Sequence, residues 1–229
     1  MTLPLTDNLR ALVAAVEAAD TLSASVARRL LQESGITAEE LAPWADFDHP
    51  AADGYGRKMI HDGGRFELMV MSWRDGSMSA IHDHGHTTWG AVRLYGDAEH
   101  ATFCLRDGAL TTRSRRTFAS GSVIPVVNDL IHQMGNIGQA PYLTLHLYGC
   151  EECTGGITHD ARIFDLDEQA IQFTNGGVFF ALPEATVTRR QSGLRGDFPT
   201  TLRHNVEVLY RQAQAGGGSR MGRLVSWLC

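Results

Sequence analysis

Ser79-Ala80-Ile81-His82-Asp83-His84 is the stretch on which the reading of this chain turns. On an extended segment, residues two apart point to the same face. His82 and His84 therefore project together, as two imidazoles chelating one metal must. His132 follows 48 residues after His84, in Asn128-Asp129-Leu130-Ile131-His132-Gln133-Met134-Gly135-Asn136, where another strand is expected to start. Gly76 and Gly96 bracket the first histidine pair, and Gly121 and Asn136 bracket the third histidine. His86 continues the alternation, and His82, His84 and His132 stand out as candidate ligands.

Outward from the histidines, the sequence reads as short strands. Phe66-Glu67-Leu68-Met69-Val70-Met71 is strand-like, and further strands are separated by Arg74-Asp75-Gly76, Tyr95-Gly96-Asp97, Arg106-Asp107-Gly108, Ser120-Gly121 and Asn136-Ile137-Gly138. Many short strands with such turns predict a sandwich or barrel. Residues 163–182 have room for two more strands, and 183–199 read as a polar loop. The first fifty residues are helical in pattern. Leu9, Leu12, Val13 and Val16 form one stripe, residues 25–33 form a second helix, and Thr37-Ala38-Glu39-Glu40 is a capping box for a third, broken by Pro43. Near the other end, residues 201–214 predict a helix with Leu202, Val206, Leu209 and Tyr210 on one face, ended by Gly216-Gly217-Gly218 and followed by an apolar tail. The expected organisation is a helical segment over 1–50, a barrel carrying the metal site over 51–182, and a loop and helix over 183–229 in the same domain.

Composition agrees with a folded domain. The chain has 229 residues, 43% of them hydrophobic and 20% charged, which excludes disorder. The net charge of −6 and the lack of a basic stripe speak against a nucleic-acid partner. No apolar run is long enough to span a membrane and no signal-peptide pattern opens the chain, so no membrane partner is expected and the expected location is the cytoplasm. Of the four cysteines, Cys150 and Cys153 have CxxC spacing, but no second pair completes a zinc site. They are read as two reduced thiols in a loop.

The glycine and histidine spacing resembles the two cupin motifs, with Trp89 where the first motif has Glu, and with Val127 and Asp129 replacing the usual Pro and Gly of the second. The resemblance implies a mainly β fold, a double-stranded β-helix or jelly-roll barrel, flanked here by N-terminal helices and a C-terminal helix. The missing Glu matters for charge. Three neutral imidazoles leave a divalent iron at its full charge, whereas a carboxylate ligand would reduce it. Such a site favours an anionic ligand such as a thiolate, and binding deprotonates a thiol whose free pKa is ~8.5. That chemistry points to thiol oxygenation.

Three blocks are similar to cysteine dioxygenases, a branch of the cupins. They are Tyr55-Gly56-Arg57-Lys58 with Phe66-Glu67-Leu68-Met69, then Ser79-Ala80-Ile81-His82-Asp83-His84, then Thr144-Leu145-His146-Leu147-Tyr148. The resemblance implies Fe(II) on His82, His84 and His132, with a small-molecule thiol and O₂ as partners. It implies that Arg57 pairs with a substrate carboxylate, which its planar fork suits. Tyr55 lines the pocket, and Trp89 stands beside the metal in the slot where animal members carry a cysteine crosslinked to the tyrosine, so no thioether is expected at Tyr148. Tyr148 hydrogen-bonds substrate or oxygen, oriented by His146 and Thr144. The leading expectation is oxygenation of L-cysteine to its sulfinate. The alternatives are a relative that oxidises and rearranges cysteine to a sulfonamide with loss of CO₂, and a non-catalytic cupin used as a sensor or binding module.

Overall fold

The computed structural model describes residues 3–50, 53–152, 155–180 and 182–215. The chain opens with α1 (Asp7–Glu17), α2 (Ala24–Glu33) and the short α3 (Ala38–Leu41), which a 3₁₀ turn at Ala42–Trp44 continues. Each helix starts where a hydroxyl satisfies an orphan backbone N–H: Thr6 accepts from Leu9, Ser23 from Val26, and Thr37 forms the full capping box with Glu40. Pro43 sits in the first turn of the 3₁₀ segment, where its missing N–H costs nothing.

Two sheets follow. The first comprises β1 (Gly56–Asp62), β2 (Phe66–Trp73), β3 (Trp89–Leu94), β6 (Val123–Val127) and β8 (Tyr142–Gly149), in the order β1-β2-β8-β3-β6. The second holds β4 (Ala98–Arg106), β5 (Ala109–Phe118) and β7 (Ile131–Asn136) in the order β5-β4-β7, with β12 (Arg195–Gly196) parallel on the outer edge of β5. Next come β9 (Ala161–Asp165), β10 (Ala170–Thr174) and β11 (Val187–Ser192), paired in the order β9-β10-β11. The histidine-bearing segment joins the two groups. Met78 bridges Gly135, and His82 bridges His132 on one side and Ile163 on the other. His82 and His132 exchange both backbone hydrogen bonds at 2.9 Å. The mainly β barrel with helices at both ends, expected from the sequence, is therefore present. Among the described residues no helix is long and apolar enough to cross a membrane.

Strand β8 shows how the layers are built. Both of its faces are buried. Leu143, Leu145 and Leu147 point outward into a core shared with Leu9, Leu12 and Val16 of α1 and Leu31 of α2. Burying each leucine is worth about 1.5–3 kcal/mol. The alternate residues, Thr144, His146 and Tyr148, point into the barrel. Two arginines lock the helices to this sheet by capping their C-terminal carbonyls: Arg65 donates to Val16 and Glu17 of α1, and Arg93 donates to Leu31 of α2.

Two sequence expectations are corrected here. Residues 183–199 are not a loop, since they contain β11 and β12. β11 is an edge strand that is exposed along nearly its whole length, so it carries no apolar alternation to read. It is held by its ladder to β10 and by the Arg189 guanidinium, 3.6 Å above the Phe173 ring. α4 (Phe198–Ala215) forms as expected but packs through other residues. Leu202 and Leu209 are 52% and 55% exposed, while Thr200, His204 and Glu207 are buried. Glu207 accepts from Arg203 and from Gln133 and lies 3.4 Å from Arg115, so a buried polar network attaches this helix to the second sheet. The expected glycine stop at 216–218 and the apolar tail lie outside the described residues.

Candidate metal centre

The segment carrying His82 and His84 is not a regular strand but an extended run clamped at Asp83. This buried carboxylate accepts from the backbone N–H of Arg162 at 2.7 Å and from Gly85, and it pairs with the Arg162 guanidinium. With Asp83 held on one side, both neighbouring histidines face the other way. His132 enters from β7, and its Nε2 lies 3.1 Å from Nε2 of His82 and 3.1 Å from Nε2 of His84. The three rings are buried, and each offers one nitrogen within 4.8 Å of the others.

Burial drives these rings to neutrality. The imidazole pKa of His82 falls to about 4, chiefly from desolvation, and those of His84 and His132 fall well below the usual value for the same first reason. The tautomers follow from the partners. The Ala80 carbonyl can only accept, so Nδ1 of His82, at 2.8 Å, carries the proton and Nε2 keeps its lone pair. His132 Nδ1 is 2.8 Å from Nε2 of His100, a buried histidine of β4 whose pKa is also lowered to about 4, first by burial. Lone pairs converging in a dry place repel unless a cation sits among them. A spacing of 3.1 Å is also close to the edge that two adjacent ligands make around a metal with bonds of ~2.1 Å. The residues fit a divalent metal.

The second feature is a chain of hydrogen bonds along β8. Trp73 Nε1 lies 2.9 Å from Thr144 Oγ1, Thr144 Oγ1 lies 2.6 Å from His146 Nε2, and His146 Nδ1 lies 2.7 Å from the Tyr148 hydroxyl. The indole can only donate. The Thr144 hydroxyl receives that bond and gives its own proton to the one acceptor it meets, His146 Nε2. Nδ1 of His146 then carries the proton and donates to the Tyr148 oxygen, which leaves the phenolic O–H aimed at the site. Burial holds His146 neutral, with its pKa lowered to about 3, and raises that of Tyr148, so the phenol stays protonated. The Tyr148 ring lies 5.0 Å from that of His84.

Tyr55, Arg57, Met71, Tyr148 and Thr158 line a narrow recess with His82 and His84, about 20 Å³ in volume. Tyr55 stacks on Trp73 at 5.0 Å, and burial raises its pKa to about 12. Arg57 donates to Met69 Sδ and Thr158 Oγ1. The structure thus gathers the three histidines, Thr144, His146, Tyr148, Tyr55 and Arg57 in one place.

Trp89 is not among them. It points to the helix side of the sheet, in the core with Leu9 and Leu31, and lies against Gly149. The slot against Tyr148 belongs to Gly90, the next residue and hence the opposite face. A Cβ there would stand 2.7 Å from Tyr148 Cδ1. Among the described residues, the position facing Tyr148 is thus glycine, not the tryptophan that the sequence reading placed there. The thiol expectation is also corrected, since Cys150 is disulfide-bonded. Cys153 lies outside the described residues. The sequence reading missed His100, Trp73 and Glu67. Each sits on the barrel-facing side of a strand next to one carrying a site residue, and cross-strand register is the signal that would have found them.

A family model described as cysteine dioxygenase type I matches residues 3–151. Human cysteine dioxygenase type 1 is 28% identical over 138 residues, covering 57% of this chain and 67% of the human one. The Bos taurus protein of the same name is 31% identical over 116 residues, covering 48% and 56%. Among solved structures, a conserved Klebsiella pneumoniae protein with a double-stranded β-helix domain shares 16% identity at a TM-score of 0.40, covering 51% of this chain and 90% of that one.

Proposed function

Since the chain belongs to the cysteine dioxygenase type I family, we propose that it oxygenates the sulfur of a small thiol amino acid, L-cysteine, to the sulfinate. The observation that carries this reading is the pairing of three convergent neutral histidines with a polarised relay ending at Tyr148. One thiolate and one O₂ give one sulfinate, with both oxygen atoms ending on sulfur. Fe(II), held by His82, His84 and His132, supplies the redox chemistry when bound.

The chain's own residues do the rest. Arg57 binds the carboxylate through its guanidinium and is held for that by Thr158 and Met69. Tyr148 donates a preorganised hydrogen bond into the recess as negative charge develops there. His146, Thr144 and Trp73 keep that donor pointing one way. Tyr55, stacked between Trp73 and Phe179, shapes the wall and excludes water.

The test is O₂ uptake by the Fe(II)-loaded protein with L-cysteine, read together with product mass. Gain of two oxygen atoms supports the sulfinate. A product that has also lost CO₂ would replace this reading with the sulfonamide route. Cysteine binding without uptake would make the protein a binding module.

A further inference from the structure

Glu67 has no part in the chemistry above, yet it stands inside the site. It lies on β2 with Met69 and Met71 on the barrel-facing side, directly across from Tyr148 in the β2–β8 pairing. It is 8% exposed. Its Oε2 is 3.8 Å from Arg57 Nη2, an ion-pair distance too long for a hydrogen bond, and no hydrogen bond reaches that oxygen. Burial raises the carboxyl's pKa, and Arg57 is the main influence opposing that rise. Taking a carboxylate out of water is costly, and here Arg57, a backbone hydrogen bond from Ile157 and the neighbouring His159 offset that cost only in part, with Oε2 left without a hydrogen bond. It is also not needed to hold Arg57, which Thr158 and Met69 already fix. Its effect is therefore electrostatic, since its charge opposes that of Arg57, the cation assigned to the substrate carboxylate.

We propose that Glu67 is the charge filter of the site: it offsets Arg57 so that the recess selects a thiol carrying a carboxylate together with an ammonium over a thiol carrying the carboxylate alone. The proposal rests on the reading of this recess as a thiol site. It makes a signed demand on three probes that differ in charge away from sulfur: 3-mercaptopropionate is anionic, L-cysteine zwitterionic and cysteamine cationic.

The experiment measures equilibrium binding of the three thiols to the Fe(II)-loaded protein without O₂, in wild type and Glu67→Gln, with O₂ uptake recorded separately. Glu67→Gln keeps the size and one acceptor oxygen and removes the charge. It should bind 3-mercaptopropionate about 10-fold tighter and cysteamine about 10-fold weaker, with L-cysteine changed by less than about 3-fold. Glu67→Asp should keep the wild-type order, and Glu67→Met serves as the neutral variant if Gln fails to fold. A mere buttress for Arg57 would weaken both carboxylate-bearing thiols and leave cysteamine unchanged, and that result, or no shift, overturns the proposal. If the wild type binds thiols but consumes no O₂, the dioxygenase reading fails while the binding series still decides the filter. If uptake stands and the series is flat, only the filter falls.

Discussion

Thr144→Val tests whether the relay has a direction. The change removes one hydroxyl and keeps the branched shape. Trp73 Nε1 at 2.9 Å and His146 Nε2 at 2.6 Å both lose their partner in a buried place. An orphaned buried polar group costs about 1–3 kcal/mol, so the two together should destabilise the fold by about 2–6 kcal/mol. The functional effect has a different origin. Without a proton from Thr144, His146 is no longer obliged to carry its own on Nδ1, and the Tyr148 proton can turn back to His146. Turnover should fall roughly 10- to 100-fold, the range for losing a supporting partner. Urea unfolding reads the first effect, and O₂ uptake by folded protein of verified iron content reads the second. Thr144→Ser keeps the hydroxyl and should restore turnover to within about 3-fold. Wild-type turnover in folded, iron-loaded Thr144→Val would refute the reasoning, as would a Ser variant as impaired as the Val variant.

The other expected outcomes concern neighbouring groups. Tyr148→Phe should leave iron content unchanged and cut turnover roughly 10- to 1,000-fold, with Thr144→Val adding little on top because both disable one unit; undiminished uptake would remove the phenol from the mechanism. His100→Ala should weaken metal binding roughly 10- to 100-fold in competition with a chelator, by freeing the His132 ring that it holds at 2.8 Å, and unchanged affinity would make that contact incidental. Metal-free protein should lose stability as pH falls. His82, His84, His100, His132 and His146 all have folded pKa values depressed by burial, so below ~6.5 only the unfolded chain takes up their protons. Each should cost roughly 1 kcal/mol between pH 7 and 5.5, and urea midpoints that do not move over that range would contradict it.

The convergence of His82, His84 and His132, which the structure shows, was legible because an extended segment puts His82 and His84 on one face and the resemblance to the cupin motifs adds His132. The relay on β8 was legible for the same reason. What was not legible depends on neighbours across strands. Periodicity says that Trp89 and Gly90 face opposite ways, but not which of them faces Tyr148. Glu67 and His100 look like ordinary strand residues until the register sets them beside Tyr148 and His132. α4 misled in a different manner. Its leucines have helical spacing, yet the bonds that Arg203 makes to Glu99, His204 to Asp167 and Glu207 to Gln133 and Arg115 outweigh them in choosing the packed face.

The two-faced strand β8 also acts as a guard against misreading its own alignment. Were it to pair with β2 and β3 one position out of step, Leu145 and Leu147 would enter the polar recess, and His146 and Tyr148 would be pressed into the helices. Three leucines at about 1.5–3 kcal/mol each penalise that slip. The hydroxyl and imidazole of the relay contribute little to choosing the register, yet they are delivered at hydrogen-bonding distance, 2.6 Å apart. The leucines on the far side of the same backbone act as the ruler. Variants such as Leu145→Ala, far from any substrate, should therefore blur the Thr144–His146–Tyr148 geometry before they unfold the protein.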